Sequence, residues 1–207
     1  MRFLIGFLVC ATAACAETAD FTPTDNVVPT SHGSQPAASY EIKPSPQSDA
    51  NVKVDVWSQG AKRQDGQTVV DVTLSVQNIG TTPVTVDWQA LRLEAYDNKG
   101  RALPPGRLLG VTSGNNLVIG PANARDVKVR FAVPVDMSPD DIGGLRLRWA
   151  LNQAEGQPYV QFTSFQRVPD VYYYGYDSFY DPLWGYYDPF WGPTSYYGPG
   201  APVIVRR

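Results

Sequence analysis

Between residues 68 and 78 apolar and polar side chains alternate, Val70, Val72, Leu74 and Val76 against Asp71, Thr73, Ser75 and Gln77. A period of two sends successive side chains to opposite faces of a strand. The segment therefore reads as a β-strand that buries its Val/Leu row and wets the other. Asn78-Ile79-Gly80 breaks the pattern, and Val84, Val86 and Trp88 resume it, followed by Leu91, Leu93 and Ala95. Asp97-Asn98-Lys99-Gly100 is the next turn, since Asn and Gly tolerate the positive φ of tight turns. Upstream, Val52, Val54 and Val56 alternate with Lys53, Asp55 and Trp57, and Asp65-Gly66 supplies a hairpin turn into the strand at 68. Downstream, Val127, Val129, Phe131 and Val133 form one apolar row and Leu145, Leu147, Trp149 and Leu151 another. The segment Tyr159–Gln166 closes the set. Leu108–Val111 and a brief piece within 115–121 read as short strands, and Leu103-Pro104-Pro105-Gly106 between them as irregular, because proline has no N–H for a ladder.

Seven or eight short strands, frequent turns and no long helical period predict an all-β chain, an immunoglobulin-like antiparallel β-sandwich over residues 51–167. About 115 residues suffice to enclose one core. The strand Val70–Val76, its Gln77-Asn78-Ile79-Gly80 exit, the Val84-Thr85-Val86 return and the Asp97–Gly100 turn resemble the Ig-like modules of bacterial envelope proteins, including the DUF4352 type. The resemblance implies an architecture, not an activity. The chain departs from antibody-type domains in lacking an inter-sheet cysteine pair.

The N-terminus changes the picture. Arg2 followed by Phe3-Leu4-Ile5-Gly6-Phe7-Leu8-Val9 and small residues is a secretory signal over residues 1–16, too short to span a bilayer. Thr12-Ala13-Ala14-Cys15 resembles a bacterial lipobox, which implies lipid on Cys15; Thr12 departs from the aliphatic residue usual there. The alternative is ordinary cleavage after Ala16, leaving a soluble periplasmic or secreted protein that begins at Glu17. Cys10 is a poorer lipid site, because bulky Val9 precedes it. In enterobacterial lipoproteins an Asp after the Cys goes with inner-membrane retention, so Ala16 points by resemblance to the outer membrane, facing the periplasm. Residues 17–50 are rich in Thr, Ser, Pro, Ala and Gln and read as a flexible, disordered linker. His32, the single histidine, lies in that linker and reads as incidental.

Candidate chemistry is sparse. Both cysteines fall in the signal, so the mature domain has no disulfide. Asp136, Asp140 and Asp141 suggest a calcium loop, but Ser138 as an N-cap, Pro139 at the first helical position and acids in the first turn suit a single helical turn better. Arg125, Lys128 and Arg130 lie on one strand and Arg146 and Arg148 on the next, which Ig connectivity assigns to opposite sheets. Removing Arg2 from seventeen basic residues leaves sixteen against twenty acidic ones, so nucleic acid is a poor partner. No catalytic set, metal-ligand set or cofactor motif emerges, and the chain is not expected to be an enzyme.

Residues 168–207 form a Tyr/Trp/Pro/Gly-rich tail with two similar heptads, Tyr180-Asp181-Pro182-Leu183-Trp184-Gly185-Tyr186 and Tyr187-Asp188-Pro189-Phe190-Trp191-Gly192-Pro193. Asp-Pro favours a turn and Gly permits positive φ, which presents the flanking rings on a bent backbone. Tyr180, Trp184, Tyr186, Tyr187, Phe190 and Trp191 are the candidate binding residues, with both tryptophans expected to be exposed. Two functions follow as expectations: an envelope lipoprotein acting as a structural or protein-interaction module, and a glycan- or peptidoglycan-binding module that stacks tail aromatics on sugars. An envelope enzyme is a third reading.

Overall fold

The computed structural model describes residues 17–29, 35–43, 49–111, 117–134, 137–153, 158–169, 172–173 and 204–205. The chain divides into two units, Met1–Val168 and Pro169–Arg207. The first holds strands β1 (Thr18–Ala19), β2 (Phe21–Pro23), β3 (Val27–Pro29), β4 (Pro36–Ile42), β5 (Val52–Gln64), β6 (Gln67–Asn78), β7 (Val84–Val86), β8 (Arg92–Asp97), β9 (Arg107–Val111), β10 (Val118–Ile119), β11 (Ala124–Val133), β12 (Ile142–Gln153) and β13 (Tyr159–Arg167). In the second, β14 (Tyr172–Tyr173) pairs antiparallel with β15 (Ile204–Val205).

The predicted β-sandwich is the observed fold. One sheet runs β3-β4-β5-β6-β11-β9, with β1 also on β5, and the other runs β10-β7-β12-β13-β2, with β8 also on β12. The alternating rows meet in one core: Val54, Val56, Val72, Leu74, Val127 and Phe131 from the first sheet, Leu93, Leu145, Leu147, Trp149 and Leu151 from the second. The β5–β6 hairpin turns on Asp65 and Gly66, with φ of 49° and 77°, as the sequence predicts. Near its middle β5 bulges at Gly60, φ 90°, and a Cβ there would stand 2.8 Å from the Ala19 carbonyl oxygen. Glycine is what lets β1 lie beside β5.

A polar group pins the sheets inside this core. Trp149 Nε1 donates to Thr163 Oγ1 at 3.0 Å, and that hydroxyl shares a 2.9 Å hydrogen bond with Tyr40 Oη. The Tyr40 and Trp149 rings meet edge to face at 5.4 Å. Burial raises the Tyr40 pKa, so the phenol stays neutral and able to donate.

Three expectations need correction. The linker over 17–50 contributes β1 to β4, and Ala19, Phe21, Ala37, Ala38, Tyr40 and Ile42 are buried. Its composition concealed short alternating rows, Ala19/Phe21 and Ala38/Tyr40/Ile42, which complete edges of both sheets. The folded domain therefore includes residues from Glu17 onward, the Glu17 carbonyl accepting from the Arg63 N–H at 3.1 Å; His32 lies outside the described residues. The second correction is Thr73, expected to be wetted but fully buried. It faces Trp57 across the β5–β6 ladder, on the outer side of the sheet, and the large indole is itself only 5% exposed. The third is Trp88, which does not extend the inward row of Val84 and Val86. Asp87 caps a 3-10 turn at Trp88–Ala90, Oδ1 accepting from Gln89 N–H at 2.9 Å, and the change of period turns the indole outward.

Candidate binding surface

The candidate residues named from the tail, Tyr180, Trp184, Tyr186, Tyr187, Phe190 and Trp191, and the lipidation candidate Cys15 lie outside the described residues. So does Asp136, but the rest of its acidic loop is described. Pro139–Asp141 is one 3-10 turn with a capping box: Asp140 N–H donates to Ser138 Oγ, and Ser138 N–H donates to Asp141 Oδ2 at 3.0 Å. Asp140 takes an ion pair from Arg167 at 2.8 Å. These carboxylates cap and tie; among the described residues no group of three or more His, Cys, Asp and Glu could hold a metal ion.

The basic strands divide as their pattern predicts, β11 in the first sheet and β12 in the second. On the first sheet Arg130 reaches Asp71 at 2.7 Å and Lys62 reaches the same carboxylate at 3.0 Å. Burial pushes the Asp71 pKa up, but hydrogen bonds from Arg130 and Lys62 and the two charges outweigh it and hold the carboxyl below its ordinary value. Arg130 is stabilised in its charged form by the same contact. Beyond this triad, Lys53, Asp55, Ser75, Gln77, Ala124, Arg125 and Asp126 line an open polar cleft of about 510 Å³. Signs are mixed there, so no ligand charge is favoured.

The outer face of the second sheet differs. Register places Arg92 of β8 directly opposite Arg148 of β12, and Phe162 of β13 on the other side of Arg148. One row along, Arg146 stands between Glu94 and Ser164. The Arg146 guanidinium lies 4.3 Å from the centre of the Phe162 ring and only 3.9 Å from Glu94, a loose pair beside a cation–π contact. Arg148 Nη1 donates to the Ala90 carbonyl at 3.1 Å and Arg92 Nη1 to the Leu91 carbonyl at 2.7 Å. Two guanidinium groups thus anchor on consecutive carbonyls, and no ion pair is formed by either among the described residues. Around them Trp88, Val160 and Phe162 are 54%, 41% and 40% exposed. Sequence reasoning marked Arg146 and Arg148 but missed Arg92, Trp88 and Phe162. The strand periods assign Arg92 and Phe162 to this face; Trp88 stands at the edge of the same sheet, exposed in the 3-10 turn between β7 and β8.

No family model and no curated protein matches the chain. Among solved structures it is similar to the putative ApaA protein of Bordetella pertussis, at 19% identity over 56% of this chain and 91% of that one, TM-score 0.38. An uncharacterised β-sandwich protein of Clostridium difficile is 14% identical over 59% and 89%, TM-score 0.32. The GAE domain of yeast GGA1 is 11% identical over 63% and 98%, TM-score 0.33. Likenesses of this order carry no inference about activity.

Proposed function

We propose that this chain is a non-enzymatic cell-envelope lipoprotein, anchored through lipid on Cys15 in the outer membrane, facing the periplasm, and working as a structural or protein-interaction module. The observation that carries this reading is the outer face of the second sheet, where exposed Val160 and Phe162 lie beside arginines held at fixed positions by the ladder, with exposed Trp88 in the turn at the sheet's edge. A rigid sheet that displays aromatic and guanidinium groups together has the side chains enriched in interfaces. The signal segment and Ala13-Ala14-Cys15 supply the address. A glycan-binding role is the second reading, favoured by the repeated Tyr-Asp-Pro-x-Trp-Gly unit of the tail.

Two measurements test the proposal in cells. Metabolic labelling with a fatty-acid analogue should mark the wild type and not Cys15→Ala; an unlabelled wild type that begins at Glu17 ends the anchoring claim. A photo-crosslinking side chain at Phe162 should capture envelope partners that one at Lys128, on the other sheet, does not. Equal capture at both positions refutes the assignment to this face.

A further inference from the structure

We infer that the outer face of the second sheet binds peptidoglycan, its guanidinium groups taking stem-peptide carboxylates and its exposed indole stacking on a sugar. The inference rests on the envelope reading above and gives that surface a ligand.

Arg92 and Arg148 are direct cross-strand partners, an arrangement of like charges that weakens a sheet unless something offsets it. Among the described residues no carboxylate forms an ion pair with either, and both are fixed by neutral carbonyls at Ala90 and Leu91. Arg146, the third guanidinium, lies over the Phe162 ring and keeps a loose 3.9 Å pair with Glu94. Planar guanidinium groups pair bidentately with carboxylates, so this cluster selects an anion of that shape. Backbone groups on the face are already committed to the ladder, which leaves recognition to side chains and excludes strand addition there. Trp88 opens the turn that joins β7 to β8, and both strands pair with the edge of β12 opposite β13, so its backbone stands about two strand spacings, roughly 10 Å, from Val160 and Phe162. An extended polymer that alternates apolar ring faces with carboxylates fits that separation. A neutral glycan would leave the arginines uncompensated.

The test uses the chain from Glu17 to Arg207 and purified sacculi, native or with their carboxylates amidated. Retention should fall about tenfold or more in Arg92→Ala/Arg148→Ala, two charge-assisted contacts being lost. It should fall comparably on amidated sacculi. Arg92→Lys/Arg148→Lys should be intermediate, and Trp88→Ala, at a half-exposed site that leaves the fold intact, should also weaken retention. Lys53→Ala/Lys128→Ala, removing equal charge from the other sheet, should bind as wild type. Thermal melts confirm that every variant is folded. Undiminished retention of the Arg92/Arg148 variant, or of the wild type on amidated sacculi, overturns the inference. Capture of an envelope protein at Phe162 without sacculus retention also overturns it, while leaving the interaction-module proposal standing.

Discussion

Ile42→Ala separates a folded N-terminal segment from a tether. Ile42 ends β4, pairs with Val52 and is buried in the common core. Truncating a buried isoleucine to alanine costs about 2–5 kcal/mol, through lost transfer energy and the cavity left behind. A substitution in a solvated tether would stay within about 0.5 kcal/mol. The wider segment gives the same contrast: burying Phe21, Tyr40 and Ile42 is worth up to roughly 4.5–9 kcal/mol, at about 1.5–3 each. That approaches the whole stability of a typical domain, about 5–15 kcal/mol. A chain restricted to 51–167 also loses β4 from the edge of β5 opposite β6 and leaves Thr163 without Tyr40. Urea denaturation followed by far-ultraviolet circular dichroism should show a lowered midpoint with unchanged slope for Ile42→Ala. It should show no cooperative transition for 51–167. A wild-type midpoint in Ile42→Ala, or a cooperative fragment, refutes the reasoning.

Thr163→Val should destabilise by about 1–3 kcal/mol, because it leaves Trp149 Nε1 and the Tyr40 hydroxyl without their shared partner. Tyr40→Phe should cost less, about 0.5–1.5 kcal/mol, since Thr163 still accepts from Trp149; equal or reversed costs in the same titration contradict the network. Asp71 has a folded pKa below its unfolded value of about 3.9, so its contribution is complete above that value and fades as pH falls through the folded pKa. The stability gap between wild type and Asp71→Asn should be widest near neutrality and close below about pH 4, and a pH-independent gap excludes the ion-pair explanation.

The strands that read clearly from sequence are those whose alternating rows are long and bulky, such as Val70–Val76 and Leu145–Leu151. Turns with a local cause were equally legible, Asp65-Gly66 through positive φ and Ser138-Pro139 through capping. What escaped was set by context. Ala19, Phe21 and Ala38 make short rows of mostly small residues, and their burial depends on neighbours far along the chain. Thr73 looks solvated until Trp57 is placed opposite it. Trp88 looks like the third member of a strand row until Asp87 captures the Gln89 N–H and changes the period. The arginine face was half visible: Arg146 and Arg148 declared themselves, but pairing Arg92 with Arg148 required a register between residues 56 positions apart.

Pinning of the chain from Glu17 onward has a consequence for reach. The Glu17 carbonyl is already bonded to the Arg63 N–H, and its carboxylate accepts from Ser138 Oγ at 3.0 Å. Only two peptide steps separate it from Cys15, a span of at most about 7 Å. With lipid on Cys15, the corner formed by Glu17 and the 137–141 turn is moored at the headgroups, and the domain can pivot there but not travel. So anchored, it would engage only what comes to the membrane surface. Residues inserted between Ala16 and Glu17 would lengthen the leash by about 3.3–3.6 Å each without disturbing a strand.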